Sequence, residues 1–176
     1  YLTQNLALVI ANALMDASGE KVGFTLRAPK AGTISKIGFR TATVTTGQSL
    51  DVRVETVSAA MFPSGTLWAT NTNGSQAIAD TDDNVWFWVT LTAGAVVALG
   101  ELFCVVITWV STVGNLSISY TISGSRNLSG VPFASLFTTV WTPAAAIPNI
   151  AVEYSDGSRP FLNTMPLSVA GAVAFN

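Results

Sequence analysis

Charged residues are scarce in this chain of 176 residues, and histidine is missing altogether. Only 10% of the residues are charged, against 49% that are apolar, whereas an ordinary soluble domain carries about 25% charged residues. The single cysteine, Cys104, has no second cysteine with which to form an internal disulfide. A lone monomer with so little charge is poorly protected against association. We therefore expect neighbouring subunits to cover much of the surface.

The absence of histidine excludes much enzymatic chemistry. No Ser–His or Cys–His nucleophile can form, and the commonest general base near neutral pH is missing. Transition-metal sites lose their commonest ligand, which one cysteine does not replace. Asp51 and Glu55 lie on the polar face of one predicted strand with Arg53 between them. This pattern is typical of a solvated or ion-paired ladder rather than of a glycosidase carboxylate pair, and we predict that the chain is not an enzyme.

Nucleic-acid binding and membrane insertion are not predicted either. The net charge is −2 and the sequence has no basic stripe. Apolar stretches such as Leu102–Ile107 are far shorter than the roughly 20 residues that a membrane-spanning helix needs. No basic region with a cleavage site opens the chain, so no signal peptide is predicted. Because Tyr1 stands where an initiator Met would, we expect a fragment or a processed form.

Alternation of apolar and polar residues is the strongest positive signal in the sequence. It occurs in 22–27, 50–55 and 116–123, and it predicts half-buried strands of an antiparallel sheet. Residues 102–109 are apolar on both faces, as in a strand that is covered on both sides. Turn sequences separate these segments. The sequence therefore predicts an all-β fold, an antiparallel β-sandwich that is jelly-roll-like.

The sandwich core is predicted over residues 20–125. Residues 1–19 form either an N-terminal edge strand or a short helix. A helical apolar stripe runs through Leu6–Met15, whereas Asn5–Ile10 also fits an edge strand. Because the neighbouring segments are all predicted strands, we favour the strand.

The sequence after the core is rich in proline. We expect residues 126–160 to be a strap of the same domain, in which only Asn149–Tyr154 alternates like a strand. Residues 161–176 are mostly apolar and carry no charge, and we expect an outgoing arm or the start of a second domain. Such an end would be sticky if free, so it should pack on another domain or subunit.

Two tryptophans share one face of the strand predicted over 84–91. Period-two geometry puts Trp86 and Trp88 on the face opposite the core set, roughly 7 Å apart. They suit a subunit interface, cover by the chain's own strap through Trp141 or Phe137, or a platform for sugar rings. The candidate residues for interface or glycan contact are therefore these two tryptophans and three residues of the arm: Leu162, Met165 and Phe175.

The one acidic cluster is the run Asp80-Thr81-Asp82-Asp83-Asn84. Its oxygen atoms suit Ca²⁺, with Asp80, Asp82 and Asp83 as the candidate ligands. The spacing does not match an EF-hand loop, because the glycine and the distal glutamate are missing. The alternative is a polar turn whose side chains bond to their own backbone. We expect no cofactor apart from this calcium candidate.

Several segments in order resemble a known group of proteins. Arg27–Thr41 is followed by Thr45–Arg53, and later by Gly65–Thr72, Ala79–Asn84 and Glu153–Ser158. In that order they resemble β-sandwich, jelly-roll-like virion structural proteins of tailed bacteriophages and environmental viral sequences. The resemblance implies a fibre, decoration or tail-associated protein, and it supplies no catalytic residues.

We therefore expect a structural virion protein of a phage, acting as a capsid decoration, fibre or tail component of the extracellular particle. Its expected partners are further copies of itself and other virion proteins. The alternative is a carbohydrate-binding module or host-glycan adhesin, because the outward tryptophans adjoin the acidic run. A secreted bacterial surface or filament protein is the third hypothesis.

Overall fold

The computed structural model describes residues 9–46, 48–122, 134–137, 140–144 and 147–160. These residues form two antiparallel sheets packed face to face, which confirms the predicted all-β sandwich. One short 3-10 helix lies at Asp80–Asp82. The strands in chain order are β1 (Val9–Met15), β2 (Lys21–Arg27), β3 (Gly32–Thr45), β4 (Ser49–Val57), β5 (Pro63–Leu67), β6 (Asn73–Ala77), β7 (Trp86–Val97), β8 (Leu102–Trp109), β9 (Asn115–Ile122), β10 (Ala134–Phe137), β11 (Trp141–Ala144), β12 (Ile147–Pro148) and β13 (Ile150–Tyr154).

The strand order is that of a jelly roll. In the first sheet β1 pairs with β9, β9 with β3, and β3 with β7. In the second sheet β2 pairs with β8, β8 with β4, and β4 with both β5 and β6. The chain crosses between the sheets at every step from β1 to β4 and again from β6 to β9. This is the connectivity of an eight-stranded jelly roll in which β5 and β6 together take the place of one strand.

The long strand β3 pairs with three other strands and bends between them. Its first part pairs with β7 on one edge and with β13 on the other. Its last part, from Thr41 to Thr45, pairs with β9 instead, across a register shift. β12 pairs with β9 next to this point. The segment β12–β13 therefore fills the space where β9 and β3 diverge.

The hydrophobic core lies between the sheets and takes alternate side chains from the central strands. Val22, Phe24 and Leu26 of β2 contribute to it, as their alternation predicts. β8 is buried on both faces, since Cys104 and Val106 point away from the core and are covered as well. The buried apolar side chains of the two central strands β3 and β4 are Ile34, Ile37, Phe39, Ala42, Val44, Leu50, Val52 and Val54.

The sequence patterns predicted the strands at the two ends of the chain to different extents. Val9–Met15 is a strand with no helix in it, and residues 1–8 lie outside the described residues. The single strand expected in 126–160 is present as β13, but the structure adds β10, β11 and β12 to the expected strap. β11 contains Pro143 and is an edge strand, where a missing N–H is tolerated.

Gly74 of β6 lies against β7, and a side chain has no room there. A Cβ at this position would lie 2.1 Å from the carbonyl oxygen of Thr90. Because that oxygen belongs to the backbone, relief requires the two strands to separate. We predict that Gly74→Ala lowers the free energy of unfolding by about 1–3 kcal/mol, the range found for overpacking, as measured by urea denaturation.

The matched control for this variant is Gln76→Ala, at an exposed position of the same strand. It should change the free energy of unfolding by no more than about 0.5 kcal/mol. A Gly74→Ala protein as stable as the Gln76→Ala protein would contradict the close approach of β6 to β7.

Candidate functional site

The two tryptophans of β7 lie on the outer face of the first sheet. Phe87 and Val89 point into the core, whereas Trp86 and Trp88 are half-buried on the opposite side, as period-two geometry predicts. On the neighbouring strand β3, Arg40 lies opposite Trp86 and a glycine lies opposite Trp88. The outer face of β3 and β7 is therefore a candidate contact site.

Trp88 is covered on both faces of its indole by its own chain. A Cβ on Gly38 would lie 2.8 Å from three atoms of the indole, so the ring lies flat against the glycine backbone. On the other face, the guanidinium carbon of Arg159 lies 4.8 Å from the ring centre, in a cation–π contact. Trp141 lies against Gly23 of the second sheet instead, and the side chain of Phe137 lies outside the described residues.

An ion-pair network holds Arg159 over the indole. Its Nε bonds to one carboxylate oxygen of Glu153, and Nζ of Lys36 lies 2.8 Å from the other. The glutamate side chain is only 11% exposed. The hydrogen bond from Lys36, assisted by Arg159, lowers the pKa of Glu153 below its ordinary value, and burial only partly opposes this.

A second group of polar contacts fastens the turn that follows β13. Nζ of Lys30 lies 2.5 Å from the carboxylate of Asp156 and 4.9 Å from the ring centre of Tyr154. The same carboxylate accepts hydrogen bonds from the N–H and the hydroxyl of Ser158. The hydrogen bond from Lys30 is the main reason why the pKa of Asp156 lies well below its ordinary value. Charged side chains thus hold both the end of β13 and the turn that follows it.

The acidic run Asp80–Asn84 packs on the end of β3. The carboxylate of Asp82 accepts the N–H of Ala79 at 2.8 Å, and the carboxylate of Asp83 accepts the N–H of Val44. Two of the three candidate calcium ligands are therefore bonded to backbone, one within the loop and one on β3. In the described part of the chain, no three side chains of His, Cys, Asp or Glu are grouped so as to hold a metal ion. Calcium binding, with Asp80 included, stays a prediction.

A buried polar group that the sequence did not indicate lies on the outer face of the second sheet. Glu55 is 2% exposed, and it pairs with Arg53 at 3.4 Å and accepts the N–H of Gly65 at 2.8 Å. Of the ladder expected on β4, the pair of Arg53 with Glu55 is thus present, and its glutamate is buried. Beside it, the hydroxyl of Thr25 lies 3.3 Å from Sγ of Cys104.

Known proteins offer no comparison for these arrangements. No protein family model, no curated protein and no solved structure matches the chain. Among the described residues, no helix is long and apolar enough to cross a membrane. The three candidate contact residues of the arm, Leu162, Met165 and Phe175, lie outside the described residues. A proposal for the function of this chain therefore depends on the contacts of its described residues.

Cys104 provides a test of how tightly the outer face of the second sheet is covered. Burial raises the pKa of its thiol to about 12, the hydrogen bond with Thr25 opposes the shift, and the charge of Glu55 adds to it. The protonated, covered thiol should resist alkylation. We predict that iodoacetamide leaves the folded protein unmodified at neutral pH over a time that alkylates it fully in urea, as read by mass spectrometry. Equal alkylation of the folded protein would contradict this burial.

Glu153 predicts a loss of stability in acid. The pKa of Glu153 in the folded protein lies below that of an ordinary glutamate. Its contribution to stability is therefore complete above the unfolded-state pKa and is lost as the pH falls through the folded-state pKa. We predict that the melting temperature of Glu153→Gln falls less steeply on acidification than that of the wild type, measured by thermal denaturation between about pH 2 and 7.

The control for this variant is Asp51→Asn, which removes a carboxylate from the second sheet. It shows how far the loss of one carboxylate outside the Arg159 network changes the melting curves. Identical acid sensitivity of Glu153→Gln and the wild type would show that the network around Arg159 does not stabilise the folded protein.

Proposed function

We propose that this chain is a structural subunit of a virus particle, such as a capsid decoration, fibre or tail component of a phage, that acts through contacts with other subunits. The observation that carries the proposal is a group of exposed apolar side chains at one end of a jelly roll with few charges. The jelly roll is an architecture of viral capsid domains and of lectins. The resemblance of its strand and turn sequences to phage virion proteins favours the first of these.

Four of the seven exposed large apolar side chains of the described residues lie on neighbouring loops and strand ends. Val110 and Val113 follow β8, Val140 lies between β10 and β11, and Leu14 precedes the end of β1, all between 40% and 68% exposed. β8 and β10 both run antiparallel to β2, so both end where β2 begins, next to the end of β1. Apolar groups gathered on one end of a domain mark an interaction site.

The scarce charges do little to keep subunits apart. The chain has only eight Lys and Arg and ten Asp and Glu, and several of them form pairs within the subunit. These internal pairs join Lys30 to Asp156, and both Lys36 and Arg159 to Glu153. Since neutralised pairs repel a second copy weakly, they leave apolar contact free to drive association.

Sugar binding is the second candidate, and one observation favours it. Trp86 is half-buried on the outer face of β7, opposite Arg40 on β3. A half-exposed indole next to a polar side chain suits the edge of a sugar ring. Trp88 suits it less, because a stacked sugar would have to displace Arg159.

Negative-stain electron microscopy of the purified chain, together with a glycan array, tests the two candidates. We expect regular assemblies of defined size and no glycan binding that depends on Trp86. A preparation that contains only single subunits at every concentration would contradict the proposal. Glycan binding that is lost in Trp86→Ala would then favour the sugar-binding function instead.

A further inference from the structure

We propose that β1 is the edge through which the subunit pairs with a second copy of itself, by antiparallel addition of β1 to β1 about a two-fold axis. The inference names the contact surface of the proposed assembly role and rests on that role. A strand at the edge of a sheet can pair with a strand of another chain. The N–H and C=O groups of an unpaired strand edge can bond to another chain unless proline, charge, a bulge or a cover blocks them.

No such blocking feature is present on β1. One edge of the strand pairs with β9, and no described strand pairs with the other edge. Its seven residues contain no proline, no glycine and no charged residue. The sequence has no charged residue anywhere from Tyr1 to Met15. Pairing with β9 keeps one register along the whole strand, so no bulge bends the edge away from a partner.

The other strands at the margins of the described sheets are interrupted or covered. β11 contains Pro143, and β5 contains Pro63 and Gly65. β13 carries the charged Glu153, and the N–H groups of its Val152 and Tyr154 donate to the carbonyls of Pro160 and Ser158. β6 and β7 lie against each other where the two sheets meet, and there the N–H of Ala93 donates to the carbonyl of Asn71 at 2.8 Å. β1 is therefore the edge of the described sandwich that is best suited to strand addition.

A second copy is the occupant that matches this edge. Antiparallel pairing of two identical strands is self-complementary and closes as a dimer. Neither strand brings a charge, so no like charges meet across the axis. The pairing joins the first sheets of two subunits into one continuous sheet. It also brings Leu14, which is 53% exposed on the outer face, towards the same face of the partner's β1.

Lysine substitutions on β1 test the pairing without touching the core. Asn12 and Leu14 are both exposed, and lysine on an edge strand opposes its pairing with another chain. Sedimentation velocity should show the wild type as a dimer or a multiple of it, and Asn12→Lys and Leu14→Lys with half the wild-type mass. Leu99→Lys is the matched control, because Leu99 is an exposed leucine in the turn before β8, at the opposite end of the sandwich.

Hydrogen exchange shows whether the edge is covered by another copy or by the same chain. The β1 amides that face away from β9 should be protected in the associated wild type and exchange faster on dilution and in Leu14→Lys. Equal protection in the monomer would overturn the inference, as would a wild-type mass in both lysine variants, and either result leaves the assembly role standing. A wild type that is monomeric at every concentration would overturn the assembly role as well.

Discussion

The pairing of β13 with β3 is the interaction on which both the sandwich and its outer face depend. Only the last residues of β3 pair with β9. In the earlier part of β3, β13 takes up the hydrogen-bonding groups that would otherwise be left open where β3 and β9 diverge. All five residues of β13 are buried, and Ile150, Val152 and Tyr154 face the core. The same insertion brings Glu153 beside Lys36 and places Arg159 over Trp88. A strand that completes the core therefore also decides what the outer tryptophans can contact.

The way in which the chain uses its charges follows from this arrangement. With 10% charged residues, the chain can form few ion pairs. Those around β13 fasten a segment near the end of the described chain to residues that come much earlier in the sequence. Elsewhere the surface depends on hydroxyl, amide and small apolar side chains. Such a surface has a weak electrostatic barrier against a neighbouring copy. The low charge of the sequence, and an edge of β1 with which no described strand pairs, are the two observations behind the proposed association of subunits.

Local patterns predicted the central strands well, because each of them buries one face or both. Alternation identified β2, β4 and β9, the continuous apolar run identified β8, and the placement of Trp86 and Trp88 followed from period two alone. β10 to β12 escaped prediction, since such short segments, two of them with a proline, become strands only through their partners: β10 pairs with β2, β11 with β10, and β12 with β9. The contact of Arg159 with Trp88 escaped it too, because it depends on the hairpin turn after β13. The burial of Glu55 depends likewise on the loop that returns to β5.

We propose above all that the sparsely charged surface is an interface between subunits. The most direct test is the native mass of the unmodified chain at micromolar concentration, measured by light scattering behind size exclusion at low and at high salt. We expect the mass of two or more 18.4 kDa subunits, and we expect it to persist at high salt, because apolar contacts and backbone pairing are not screened by ions. A mass of 18.4 kDa under both conditions would contradict it.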